Sequence, residues 1–416
     1  VSGSGRLSDS TAVTVDSGAV YNVAVSDTVA SIAGAGSITL GSNTLTSGGS
    51  DASTTFSGVI SGTNGNIIKA GTGTLTLTGN NSYTGSTTIS AGLLKIIRDD
   101  PTSYLAATSG FTGPGNLTIE SSGDDFTADI VTGTHVQLAG TALGNLIIGK
   151  TGNTRQIDLS SDITTTGTQT YNGPVRLVGG DRTVSTTNSN VIFASTVNSD
   201  GTQRALTVTN GTGDTTFSGA IGGSAPVKSL TITSDQLTAG AITLNGALTA
   251  TLGGSSSITG VIANGASTAN LVKAGSGTLT LSGANTYTGT TTINAGDLTV
   301  SGSLHDSTAV TIASGADYNV NASDTVASIE GAGNIVIASS QTLTAGDGND
   351  KTLSGVISGA GNYIKAGSGT QTLSASNTYT GTTQVSAGTL TVSGSGRLSD
   401  STAVTVDSGA VYNVAV

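Results

Sequence analysis

The chain has 416 residues, with 14 Lys or Arg against 25 Asp or Glu, a formal net charge of −11 at pH 7, and only 3% aromatic and 9% charged residues. Cys, Met and Trp are absent, which excludes a disulfide framework and any thiolate metal site. The acidic balance makes nucleic acid a poor partner, and so few large side chains cannot fill the thick core of an ordinary globular domain.

A narrow interior remains possible, filled by short branched side chains stacked in a thin column. Low charge with abundant Ser and Gly could instead mean disorder. The regular recurrence of Val, Ile and Leu argues against that, as does a mean hydropathy of +0.12. No apolar run reaches the roughly 18 residues of a membrane-spanning helix. The sequence starts in mid-pattern at Val1 without a charged n-region or apolar h-region, so any signal peptide is expected outside it.

Self-similarity organises the chain. Residues 1–25 and 392–416 are identical, a period of 391 residues from Val1 to Val392. This predicts a parent protein built of tandem units, with the next unit starting at residue 392. The first block, 1–97, opens with alternating strand texture at 12–16. It then reaches Ile68-Lys69-Ala70-Gly71, the run 74–78, and Asn81-Ser82-Tyr83-Thr84-Gly85. The second block, 98–207, departs from it. Five of the seven arginines lie here (Arg98, Arg155, Arg176, Arg182 and Arg204), and all four prolines fall between Arg98 and the next motif copy. Block 208–299 restores the motif at Lys273 and Asn285, and block 300–391 repeats it at Lys365 and Asn377. Residues from Asp306 onward also duplicate those from Ser8, so the first and fourth blocks are copies of one another.

Apolar residues at i and i+2 with Thr between them put one face inward and one outward, and Thr suits the outer face of a strand. Strand signals recur every seven to ten residues or so, separated by Gly, Asn, Asp or Ser. The side chains are too small for a sandwich core, and each block holds more strands than a propeller blade. The predicted fold is therefore all-β: a right-handed parallel β-helix, or β-solenoid. About three short strands per coil would give roughly 17 to 20 coils. The Asn of Asn-x-Tyr-Thr-Gly is expected to form an internal turn ladder, because Asn tolerates the left-handed conformation. The stems of Lys69, Lys273 and Lys365 are expected to cover apolar edges of the coil.

The three copies of this motif resemble the passenger-associated transport repeat of bacterial autotransporters, also called the autotransporter-associated β-strand repeat. Residues 164–175 and 214–223 of the distinct region are similar to repeats of large filamentous-haemagglutinin-like exoproteins. These resemblances imply a parallel β-helix at the surface of a Gram-negative-type bacterium, exported through an outer-membrane transporter. They also imply a role in adhesion, aggregation or biofilm matrix.

Parallel β-helices also host glycan-processing enzymes, which need clustered carboxylates. The adjacent acidic pairs, Asp99-Asp100 and Asp124-Asp125, read as solvated loop charges. His135 and His305 lie in different blocks, which argues against zinc. Residues 345–350 carry a calcium-repeat-like run, but calcium rolls need tandem copies, so a polar turn is expected. The spacings from Arg155 to Arg176 and from Arg182 to Arg204 match one coil and raise a second reading: a basic stripe gripping acidic glycans or a sister fibre. No catalytic, cofactor-binding or metal residue is assigned, and no cofactor. The sequence reads as an extracellular structural and adhesive fibre whose partners are the next tandem unit, and sister fibres or surface glycans. A self-assembling sheath or surface-layer component is the alternative, with a glycan-processing enzyme behind it. Nucleic acid and membrane insertion are not expected.

Overall fold

The computed structural model describes residues 5–101, 110–138 and 143–415, among which there is no helix. The chain divides into two compact units. One comprises residues up to Asp200 together with Thr209–Thr216, the other Gly201–Val208 together with the residues from Phe217 onward. Both are parallel β-solenoids, with about 20 turns in all.

In the first unit, the strands Ala12–Val15, Val20–Asn22 and Asp27–Val29 form the three sides of one coil. The chain then returns over its own start, with Ala12 beside Ser31 and Val20 beside Ser37. The three-strand coil expected from the spacing of the strand signals is thus present. Coil length varies: Thr74 stands beside Leu93 but Leu117 beside Leu146, so residues 98–145 carry longer loops between the sides. The second unit repeats the pattern, with Ala309 beside Ser328 and Asp317 beside Asn334.

Inward positions alternate with outward ones, because successive side chains of a strand leave opposite faces. The apolar interior is a set of columns one residue wide. Leu75, Leu94, Leu117 and Leu146 lie in register and are buried. The column continues into Gln169, whose amide is satisfied by the Ser185 carbonyl at 2.8 Å and the Tyr171 hydroxyl at 2.6 Å. Tyr171 stacks on Phe193 one coil further on, with ring centroids 5.0 Å apart. Such columns need no large side chains, so 3% aromatic content suffices.

Candidate functional site

The three lysines of the motif point inward. Lys69, Lys273 and Lys365 are at most 1% exposed, which corrects the expectation that their stems lie over outer edges. Each lies at or near the end of a strand: Asn66–Lys69, Asn270–Ala274 or Asn362–Lys365. Alternation puts it on the same face as buried Ile67, Leu271 or Tyr363. A small residue lies in register on one side (Ser47, Ala250, Ala345) and a β-branched one on the other (Ile89, Ile293, Val385). The small residue leaves room for the aliphatic stem.

Burying an ammonium is costly unless its donors are met. Lys273 Nζ donates to the carbonyls of Ala274 at 3.0 Å, Gly275 at 2.9 Å and Ala295 at 3.0 Å. Three donors thus meet three acceptors. Lys69 does the same with Ala70, Gly71 and Ala91, and Lys365 with Ala366, Gly367 and Ala387. The third carbonyl belongs to the following coil, so each lysine ties two turns together. Burial lowers all three ammonium groups from the usual lysine range, Lys273 to about 8, against the pull of Asp297.

The motif's asparagines are buried and interior, as expected, but they neither stack on one another nor take a left-handed backbone. The Asn-x-Tyr-Thr-Gly segment lies over the second side of the preceding coil in place of a strand. Asn285 Oδ1 accepts the Ile262 amide at 3.0 Å, while its Nδ2 donates to Gly283 and to Ser303 of the next coil. Asn377 repeats this between Ile357 and Arg397, and Asn81 receives Ile60. Each is a separate bridge. Two residues further on, the tyrosine enters the core and its hydroxyl meets a threonine: Tyr83 with Thr87, Tyr287 with Thr291, Tyr379 with Thr383.

A further asparagine escaped the sequence reading. Asn66, Asn270 and Asn362 each stand three residues before the lysine, and their Oδ1 atoms accept the amides of Ser86, Thr290 and Thr382 at 2.8 Å. The motif glycine of the next coil sits against them. A Cβ at Gly289 would stand 2.2 Å from the Ala269 carbonyl oxygen and 2.3 Å from Asn270 Oδ1. The constant Asn-x-x-Lys spacing was the available signal.

Residues 67–96, 271–300 and 364–392 match the passenger-associated-transport repeat, and each match holds one lysine nest and one asparagine bridge. These three segments are passenger-associated-transport repeats. The chain is also similar to the "Adhesin BmaC autotransporter" of Brucella suis biovar 1 (strain 1330), 34% identical over 146 residues. That stretch is 32% of this chain and 4% of the relative's length. No solved structure matches.

Outside the transport repeats, the remaining candidates are engaged locally. Asp99 accepts the Ser122 amide at 2.7 Å, Asp125 accepts Thr154, and these bonds hold both carboxyls below the usual range. His135 Nδ1 accepts the Val131 amide and His305 Nδ1 the Ser307 amide. Among the described residues no cluster of three or more His, Cys, Asp or Glu could hold a metal ion. The 345–350 run is a polar turn, in which Asp347 accepts the Asn349 amide at 2.7 Å. The arginine stripe does not form. Arg176 has Asp158 beside it in register and grips that carboxylate at 2.8 and 2.6 Å. Arg155 caps the Phe126 carbonyl, and Arg182 folds back on those of Leu159 and Val178. Coil length varies too much around these residues for 21-residue spacing to mean vertical alignment.

One buried acidic site was also missed. Asp324 is 5% exposed and accepts from the Leu304 amide at 3.1 Å, the Thr325 amide at 3.0 Å and the Tyr318 hydroxyl at 3.0 Å. Asp27 stands identically to Leu7, Thr28 and Tyr21. Its signal was the shared Tyr-Asn-Val and Ser-Asp-Thr-Val of the two duplicated blocks.

Proposed function

We propose that the chain is a segment of the surface-exposed, adhesive passenger of a bacterial autotransporter-type protein, without enzymatic activity. Its work is to present repeated coil surfaces outside the cell. The observation that carries this reading is the recurrence of one buried device, the lysine nest with its asparagine bridge, in three transport repeats. The adhesin similarity supports the adhesive part.

In the same reading the blocks 1–97, 98–207, 208–299 and 300–391 make one unit of a tandem array, and residues 392–416 begin the next. Weak contacts to surface glycans or sister molecules multiply along such an array. Antibodies against this chain should label intact cells of a strain producing the parent protein, and surface proteolysis should remove the label. Beads coated with the purified chain should bind host cells or matrix above an albumin control, and electron microscopy should show filaments with one axial repeat per unit. Antigen found only inside the cell, or beads no better than albumin, would refute the proposal.

A further inference from the structure

The buried aspartate of the duplicated blocks points to what covers the coil that ends the described chain. In the first copy, Asp27 receives the Leu7 amide and the Tyr21 hydroxyl, 20 and 6 residues before it. In the second, Asp324 receives Leu304 and Tyr318 at the same spacings. Residues 392–416 repeat residues 1–25, which makes Leu398 the counterpart of Leu7 and Tyr412 that of Tyr21. The two donors recur here with no carboxylate within this sequence at the matching position.

The apolar surface tells the same story. Val310, Ile312 and Val320 are fully buried in the second copy, beneath the strands Ser328–Gly331 and Asn334–Ile337. Their counterparts Val404, Val406 and Val414 are 38%, 43% and 54% exposed. A cavity of about 330 Å³ opens beside Leu398, lined also by Arg397, Ser399 and Asp400. In both internal copies the covering segment reads Ser-Asp-Thr-Val-Ala-Ser-Ile-x-Gly-Ala-Gly, at 26–36 and 323–333. Its glycines are dictated by close stacking: a Cβ at Gly34 would lie 2.2 Å from the Val15 carbonyl oxygen, and one at Gly331 2.1 Å from that of Ile312.

We propose that the coil at 392–415 is the docking platform for a coil of this one sequence, supplied by the following tandem unit. The aspartate of that coil closes a clamp with the Leu398 amide and the Tyr412 hydroxyl. This rests on the tandem-unit reading above and adds to it a recognition chemistry: one carboxylate, two donors, and glycines that admit the backbone. The clamp rejects a coil out of register, because a shift of one residue would bury the carboxylate without its donors.

The test extends the full chain beyond Val416 with the residues of 26–61, alongside a variant whose appended aspartate is Asn and a third with a scrambled extension. Hydrogen exchange reads the Leu398 amide and the strand amides of Val411–Ala415. The native extension should slow exchange at both, Leu398 by about tenfold or more. The Asn variant should keep the strand protection and lose most of that at Leu398, and the scrambled extension should protect neither. Strand protection with Leu398 indifferent to the Asn change would overturn the clamp while leaving tandem stacking intact. A native extension that protects nothing would overturn both. Asp324→Asn, read at the Leu304 amide, applies the same measurement to the internal copy, where unchanged exchange would also overturn the clamp.

Discussion

Lys273 and Ala295 are bound across a coil boundary: the lysine Nζ lies 3.0 Å from the alanine carbonyl oxygen, 22 residues further along the chain. The other two carbonyls of the nest belong to the turn that follows the lysine itself. Replacing a buried ion pair by apolar groups is often harmless, but here the acceptors are backbone and stay behind. Lys273→Met keeps the stem volume and leaves three carbonyls without this donor. The expected loss is about 2 to 4 kcal/mol, measured by urea unfolding followed through tyrosine fluorescence. A Met variant as stable as the parent would mean that the nest does not hold the coils.

Gly296 follows the lysine turn one coil on, with φ +64° and a Cβ position 2.4 Å from the Gly277 carbonyl oxygen. Both conformation and space exclude a side chain. Gly296→Ala should cost about 2 kcal/mol or more. At Gly240 an added Cβ meets nothing within 4 Å, so Gly240→Ala serves as the comparison and should shift the midpoint little. Equal effects of the two substitutions would remove the stacking argument.

Tyr363 takes the inward position held by Ile67 and Leu271 in the other transport repeats, and its buried hydroxyl has no hydrogen-bond partner. Burial raises its ionisation far above the ordinary tyrosine range. Tyr363→Phe should therefore stabilise the protein by about 1 kcal/mol. Thermal unfolding would measure this, and a lowered midpoint would contradict it.

Burial pushes Asp324 up to about 6 from its ordinary 3.8, with the nearby Asp306 charge adding to the rise. The Leu304, Tyr318 and Thr325 donors pull the other way. The native state holds this proton more tightly than the unfolded chain does. Its stabilising contribution is therefore complete below about pH 4 and lost as pH rises through about 6. Other carboxylates titrate alike in the parent and in Asp324→Asn, so the difference in urea midpoint between the two isolates this group. That difference should shift in the variant's favour between pH 4 and pH 7; a flat difference would exclude the assignment.

The coil architecture was legible because it depends only on short-range periodicity. Inward apolar residues at i and i+2, turns of Gly and Asn, and a shortage of large side chains leave few alternatives to a narrow parallel stack. The transport repeats were legible for the same reason, since each copy must rebuild the same turn. Alternation also held the answer for Lys69, Lys273 and Lys365, two positions after an inward Ile, Leu or Tyr. The general rarity of buried lysine outweighed it in the reading, although a nest of three carbonyls removes the reason for that rarity.

What the sequence by itself determined is the fold, the repeats and the residues that recur in them. Only the tertiary structure decided which residues meet across coils. Coil length runs from the 19 residues between Thr74 and Leu93 to the 29 between Leu117 and Leu146. Vertical neighbours therefore cannot be counted from spacing, and Arg176 finds Asp158 beside it where Arg155 had been expected. Contacts along a strand follow from covalent geometry; contacts between coils depend on the summed lengths of every intervening turn.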